Sequence, residues 1–367
     1  MAKGVVVVYY SRLGGRLSRH QEILLEADAR VLAQLMQYEF GGTHPSAVTD
    51  SGNIFFVPDD TLLLDEARSL GIRGPHNLYG GIVPFPFVKT KSIAHPLVDD
   101  RAKRPEGWSS AFAERVRDVV LRGYTVFSAR DARIAAERML DRGTVRLKRP
   151  LGASGKGQEL IKTVSELDTF LEQFSAEEMD TYGLVLEENL RDVTTLSVGH
   201  IAVGALTVSY HGTQSTTKDN DDQSIYGRSD LMCIRGGWEA LERFARTSSK
   251  VRTGVAQSKL YDEAMIEYPD FIASRRNYDV AQGMDSRGQR RSGVLESSWR
   301  VGGATSAELV AMKMFTEDPS LQVVEASHVQ VFGKKVDAPD GAIIHFEGND
   351  SDAGPMIRYT IVNRTQN

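Results

Sequence analysis

The sequence predicts a mixed α/β and α+β chain: an N-terminal unit with a parallel sheet over residues 1–90, then a larger region over 91–367 that ends in antiparallel sheet. Three observations predict it. Residues 5–10, VVVVYY, are a mostly β-branched run of the kind buried in parallel sheets, and a helical pattern and a second strand follow. Glycine and proline then break the periodicity over 71–86. Beyond about residue 195, apolar and polar positions alternate between glycine-bearing turns, as in antiparallel pairs.

The elements follow in order. After the first strand, SRLGGR leads into a helix over 19–38, with Ser18 as N-cap and Gln21 closing a capping box. Its apolar stripe reads as Ile23, Ala27, Val31 and Leu35. A strand over 54–57, the turn Pro58-Asp59-Asp60 and a helix to about residue 70 complete the α/β unit. The middle reads as a helix over 115–121, a strand over 125–127 and a Ser128-capped helix to about 140. A strand over 144–148, the loop PLGASGKG, a strand near 159–163, a helix over 165–174 and a strand over 184–188 follow. Residues 195–210, with Gly199 and Gly204, predict paired antiparallel strands, and polar, acidic 213–224 reads as a surface loop. Strands over 321–332, 342–346 and 356–362 end the chain.

Composition narrows the function class. The chain has 44 Lys+Arg against 49 Asp+Glu, so it lacks the clustered basic excess that a nucleic-acid surface requires. A single cysteine, Cys233, excludes an internal disulfide and suits a reducing compartment. No window reaches the roughly 18 apolar residues that span a bilayer, and the N-terminus lacks a secretory h-region. We therefore expect a cytoplasmic protein whose partners are small molecules, neither membrane nor nucleic acid, with a homodimer as the one macromolecular association considered.

Lys148 ends the strand VRLK and is followed by Gly152, Ser154, Gly155, Lys156 and Gly157. Glycines let backbone N–H groups crowd phosphate oxygens, and a strand-end lysine supplies a point charge. The loop is neither a Walker A nor a dinucleotide fingerprint, and in isolation such a loop is more often a solvated hairpin. A helix and then the strand LVLEENL, 184–190, come next.

In this order of motifs the chain resembles the ATP-grasp superfamily, its biotin-carboxylase-like branch in particular. The resemblance implies an ATP-grasp fold behind the N-terminal α/β domain, a lid at about 128–187 that folds over a triphosphate, and ATP with one or two Mg²⁺ ions as cofactors. It assigns the phosphates to Lys148 and the glycine-rich loop. It implies that Glu187 accepts from the adenine amino group, that the backbones of Glu188 and Leu190 read the ring edge, and that Val185 or Leu186 packs on its face. Asp192 and Thr194 stand where a ribose contact belongs. Lys91 takes the place of the first ATP-contacting lysine, with Lys89 in reserve.

Two strand-like stretches, 275–281 and 293–300, flank a polar turn. A hairpin centred on Arg287-Gly288 sets Asp279 opposite Glu296, Asn277 opposite Ser298 and Arg275 opposite Arg300 on one face. Tyr278, Val280, Leu295 and Trp299 then share the other. Adjacent carboxylates repel unless a cation lies between them, and Mg²⁺ takes one or two protein carboxylates beside phosphates. The plain alternative is a charged sheet face. By the same resemblance, Asp279, Glu296 and Ser298 are metal ligands, Ser298 replacing the usual asparagine, and Arg300 stabilises an acyl-phosphate.

Other features stay unpromoted. His95, His200, His211, His328 and His345 lack ligand spacing, and Cys233 has no flanking nucleophile pattern. Tyr226, Gly227, Arg228 and Ser229, with Gly302, Gly303 and Thr305, are candidate pocket walls. Arg275 and Arg276 are candidates for an acidic substrate, or for an exposed edge strand. The resemblance implies an ATP-dependent ligase that activates a small-molecule carboxylate for a nucleophile. The alternatives are a phosphotransferase on the same fold and a nucleotide-binding protein without catalysis.

Overall fold

The computed structural model describes residues 4–43, 53–152, 157–334 and 336–363. β1 (Val5–Tyr9) is the centre of a parallel sheet ordered β2-β1-β3, with α1 (Arg19–Met36), β2 (Glu39–Thr43) and β3 (Ile54–Pro58). α1 starts where the sequence places it, and Gln21 Oε1 accepts the Ser18 N–H at 2.9 Å. Its buried face differs from the expected stripe: Leu24, Leu25, Asp28, Ala29, Leu32 and Ala33 point inward, while Ile23 is exposed. α1 packs against two layers, the parallel sheet and a later helix, and this turns its buried face by one position.

β4 (Leu62–Leu63), α2 (Leu64–Ser69), β5 (Gly81–Val83) and α3 (Ser110–Val116) lead to a second unit. It comprises β6 (Gly123–Val126), α4 (Ala129–Leu140), β7 (Val145–Lys148), β8 (Gln158–Ile161), α5 (Val164–Glu172), α6 (Ala176–Tyr182) and β9 (Leu184–Glu188). Its four strands run in the order β6-β9-β7-β8. Its helices start at serine and threonine caps: Ser128 accepts from the Asp131 N–H and Thr163 from the Glu166 N–H. Leu147, Phe170, Leu184 and Leu186 form its own core.

The remaining elements are β10 (Arg191–Val203), β11 (Leu206–Lys218), β12 (Ser224–Arg235), α7 (Trp238–Phe244), α8 (Ser249–Ile266) and β13 (Ile272–Ala273). β14 (Arg275–Met284), β15 (Arg290–Ser298), α9 (Thr305–Glu317), β16 (Val323–Phe332), β17 (Ile343–Asp350) and β18 (Gly354–Asn363) end the chain. Eight of these strands make an antiparallel sheet, ordered β15-β14-β10-β11-β12-β16-β18-β17, and β13 joins β5 and β4 in a small separate sheet. The expected loop over 213–224 is corrected: β11 continues to Lys218 and β12 begins at Ser224. α8 covers Leu196, Tyr278 and Val280 on one side of the sheet, whereas α9 and α1 cover Ile201, Val208, Tyr210 and Val324 on the other. Gly199 is required here, since a Cβ would lie 2.2 Å from the Tyr210 ring on the paired strand.

Asp28 is buried where α1 meets α9, and its carboxylate accepts from Ser306 Oγ at 3.1 Å. Burial pushes its pKa up to about 7, more than the Ser306 bond lowers it. The folded state therefore holds a proton that the unfolded chain releases near pH 4, so stability falls as pH rises from about 4 to 7, by about 4 kcal/mol. Asp28→Asn keeps the acceptor and is expected to remove that slope, unfolding at higher urea than the parent at pH 8. Equal pH slopes of the urea midpoint would sink the assignment.

Candidate active site

A cleft of about 850 Å³ opens between the β6–β9 unit, the large sheet and the N-terminal unit. Lys148 lies on its wall at the end of β7. Its Nζ is 2.5 Å from Glu187 Oε1, and both side chains are buried. His95 Nε2 stands 3.2 Å from the other Glu187 oxygen. Burial works against the Glu187 charge, but Lys148 and His95 together hold its pKa below the usual carboxylate range. Glu187 thus anchors a lysine and a histidine as well as facing the cleft.

The other predicted adenine contacts divide. The Glu188 N–H is committed to the Arg122 carbonyl at 2.8 Å, and its carboxylate takes Arg122 Nη2 at 2.9 Å, so a backbone role falls to its carbonyl. Leu190 lines the cleft; Val185 and Leu186 are buried and do not. Leu121, Leu190, Ala281 and Leu295 form the apolar wall instead. On β10, Val193 and Thr195 line the cleft, and the expected ribose residues Asp192 and Thr194 alternate away from it.

Lys91 is in a short 3-10 turn, nearly buried, with Nζ 2.9 Å from Glu296 Oε2 and 2.8 Å from the Gly152 carbonyl. It ties the glycine-rich loop to the carboxylate pair. Lys89 is differently engaged, with Nζ 2.6 Å from Asp60 and 3.2 Å from the Leu13 carbonyl. At the base of the loop, Gly157 has φ of +74° and its carbonyl accepts the Arg149 N–H at 2.9 Å. Ser154, Gly155 and Lys156 lie outside the described residues.

The hairpin places Asp279 opposite Glu296 and Asn277 opposite Ser298. Between them and the turn the register slips: Val280 pairs with Val294, which leaves Leu295 as a bulge. This corrects the expected placement of Leu295, which lines the cleft with Glu296 rather than sharing the face of Tyr278, Val280 and Trp299. Asp279 Oδ1 accepts from Gln214 Nε2 at 3.1 Å. Burial, and then the neighbouring Glu296 charge, push the Asp279 pKa up to about 7. Burial opposes the Glu296 charge too, but Lys91, Lys148 and Arg300 keep that group ionised and below its usual range.

This donor set fits a hard dication: Glu296 stays ionised opposite Asp279, whose ionisation burial and the Glu296 charge oppose, and Ser298 lies on the same side of the ribbon. Among the described residues, no group of three or more His, Cys, Asp or Glu side chains could complete a protein-only cage. Phosphate and water oxygens would have to supply the other ligands.

Arg300 follows β15 at the cleft mouth, its side chain 42% exposed and Nε 3.8 Å from Asp60 Oδ1. It is open to a ligand. Arg275 is not: its guanidinium makes two bonds to Glu308, 2.8 and 2.7 Å, and a third to the Arg300 carbonyl at 2.6 Å. Arg276 is buried against Asp262 on the opposite side. Neither arginine belongs to an exposed edge, and neither is free for an acidic substrate. Tyr226, Gly302 and Gly303 line the cleft, whereas Arg228 is exposed and paired with Asp230. Gly303 has no room for a Cβ, which would lie 2.6 Å from the Tyr226 ring. Burial pushes the Cys233 thiol up, so it is inert.

His95 and Gln214 join the site without a signal in their surrounding sequence. Each lies in a different segment from the carboxylate it touches, and only the fold brings them together.

A family model described as "Protein of unknown function (DUF3182)" matches residues 8–360. No curated protein matches the chain by sequence. Among solved structures, N5-carboxyaminoimidazole synthetase from Staphylococcus aureus complexed with ADP is similar over 99% of this chain and 94% of its own, at 13% identity and a TM-score of 0.54. The ADP complex of an N5-carboxyaminoimidazole ribonucleotide synthetase is similar over 100% of this chain and 94% of its own, at 12% identity and a TM-score of 0.55. Biotin carboxylase from Campylobacter jejuni in a β,γ-ATP complex is similar over 98% of this chain and 87% of its own, at 11% identity and a TM-score of 0.50.

Proposed function

The chain belongs to the DUF3182 family and has the ATP-grasp fold, and we propose that it is an ATP-dependent ligase that activates a small-molecule carboxylate as an acyl-phosphate. The observation that carries this reading is the in-register Asp279–Glu296 pair, with Lys91 bonded to Glu296 and Arg300 open at the mouth of the same cleft. Two of the solved structures similar to the chain are ADP complexes, which supports ATP as the phosphoryl donor.

In the proposed reaction a carboxylate oxygen of the substrate forms a bond to the γ-phosphorus as the bond to the β-phosphate oxygen breaks, releasing ADP. An amine or similar nucleophile then bonds to the acyl carbon, the carbon–oxygen bond to phosphate breaks, and the nucleophile's proton passes to solvent. Lys91 and Lys148 neutralise phosphate charge, and Arg300 offers a planar fork of donors to the acyl-phosphate. Asp279, Glu296 and Ser298 would hold Mg²⁺, which neutralises phosphate charge when bound. Little of this chemistry is covalent to the protein, so positioning and charge do most of it.

Product analysis tests the reading. ADP and free phosphate are expected to form together, and only when both a carboxylate and a nucleophile are present. A stable phosphorylated product would instead identify a phosphotransferase. ATP binding that no carboxylate ever converts into ADP release would leave a binding protein.

A further inference from the structure

The cleft continues past Arg300 into a lobe walled by α1, the start of α9, Tyr226 and β18. Arg358 of β18 lies here, 8% exposed. Among the described residues its side chain has no hydrogen bond or ion pair, and its Nε is buried without a partner. Among the described residues, the other two buried arginines each have a carboxylate: Arg275 has Glu308 and Arg276 has Asp262. A guanidinium largely withdrawn from water and without a counter-ion is costly, and a bound anion removes that cost.

Two further features face the same lobe. Gly302, Gly303 and Ala304 lead into the thirteen-residue helix α9, whose N-cap, Ala304, provides no side-chain acceptor. Helix N-termini of this kind attract negative charge. The carboxyl group whose charge acts on Arg358 is that of Asp28, which burial holds largely protonated up to about pH 7. Tyr226 feels the charges of both Arg358 and Asp279, and so stands between this lobe and the metal pair. β16 separates β12 from β18, which puts Arg358 roughly 10 Å beyond the Tyr226 strand.

We propose that Arg358 and the uncapped start of α9 form an anion subsite, which holds a second acidic group of the substrate, a carboxylate or phosphate, apart from the carboxyl that reacts. That the ligand is the substrate rests on the ligase reading; the anion subsite does not. The substrate class is thus a small acid with two anionic groups. Arg358 acts in binding and specificity, away from the reacting atoms.

The test uses the full chain with Mg²⁺ and a saturating non-hydrolysable ATP analogue, so that all three nucleotide phosphate positions are filled, and follows the melting temperature on adding inorganic phosphate or, separately, succinate. The wild type is expected to rise with at least one probe, and the probe that acts identifies the group. Arg358→Met is expected to lose that rise, with anion affinity at least about tenfold weaker. Its affinity for the analogue is expected to stay within about twofold, and without ligand it should melt no lower than the wild type, because an unpaired buried charge has gone. Arg358→Lys, which keeps the charge but loses the fork, is expected to respond weakly; it serves as the readout if the Met variant does not fold. Equal responses in wild type and variants overturn the proposal, as does no response in the wild type. Failure of the analogue to bind, with an anion response that still needs Arg358, removes the ligase reading and leaves the subsite standing.

Discussion

Glu296→Gln is expected to abolish the Mg²⁺-dependent part of ADP binding and to lower turnover by about 10²–10³-fold, the scale on which a preorganised charge contributes in a closed site. Glu296 ties the site together: it lies opposite Asp279 and 2.9 Å from Lys91 Nζ. The amide keeps the shape but removes one of the two negative charges that attract a dication. The amide oxygen can still accept from Lys91, so Lys91 keeps both acceptors but loses its counter-charge. Calorimetric ADP titrations separate the effects. In excess chelator the two proteins should bind ADP with similar affinity. With Mg²⁺ the wild type should gain about tenfold or more, near 1.4 kcal/mol, and the variant should not. An equal Mg²⁺ gain in both proteins would remove Glu296 from the metal site, whatever its effect on turnover.

The carboxylate pair was legible because both strands flank a short polar turn, so pairing follows from alternation and turn length. Two helix starts were legible for a similar local reason, since Ser128 accepts from an N–H three residues ahead and Gln21 reaches back to the Ser18 N–H. What failed depends on distant chain. The bulge at Leu295 exists because that side chain packs with Leu121, Leu190 and Ala281, drawn from three other segments. Residues 213–224 read as a loop because the ends of β11 and β12 carry polar groups on both faces, so the alternation that marks a half-buried strand is missing. α9 is buried on nearly every side, so it has no polar face to define a stripe. Arg358 is illegible in the sequence, because an arginine in a terminal strand becomes unusual only when the fold buries it without a carboxylate.

Arg275 shows the opposite case, an arginine that looked functional and is structural, and its replacement should have the largest effect on stability. Arg275→Met is expected to destabilise the chain by about 3–5 kcal/mol, because it strands the fully buried Glu308 charge. Glu308 also accepts from Tyr79 at 2.8 Å and Tyr210 at 2.6 Å, and burial pushes both phenols so far up that they remain donors at any working pH. Asn277 in turn donates to the Tyr210 oxygen at 2.9 Å. The network therefore runs from α9 to the strand position opposite Ser298, one pleat from the Asp279–Glu296 pair. The double variant Arg275→Met/Glu308→Leu should recover most of the loss, since well-packed apolar groups often replace a buried ion pair at little cost. It should not recover all, because the two tyrosine hydroxyls lose their acceptor. Urea unfolding of both single variants and the double variant measures the interaction as a cycle. A double variant no more stable than Arg275→Met would mean that packing around the guanidinium, not its charge pairing, holds α9 against the sheet. If the double variant is stable yet its Mg²⁺-dependent ADP affinity falls, the buried network sets the carboxylate pair's position as well as the fold's stability.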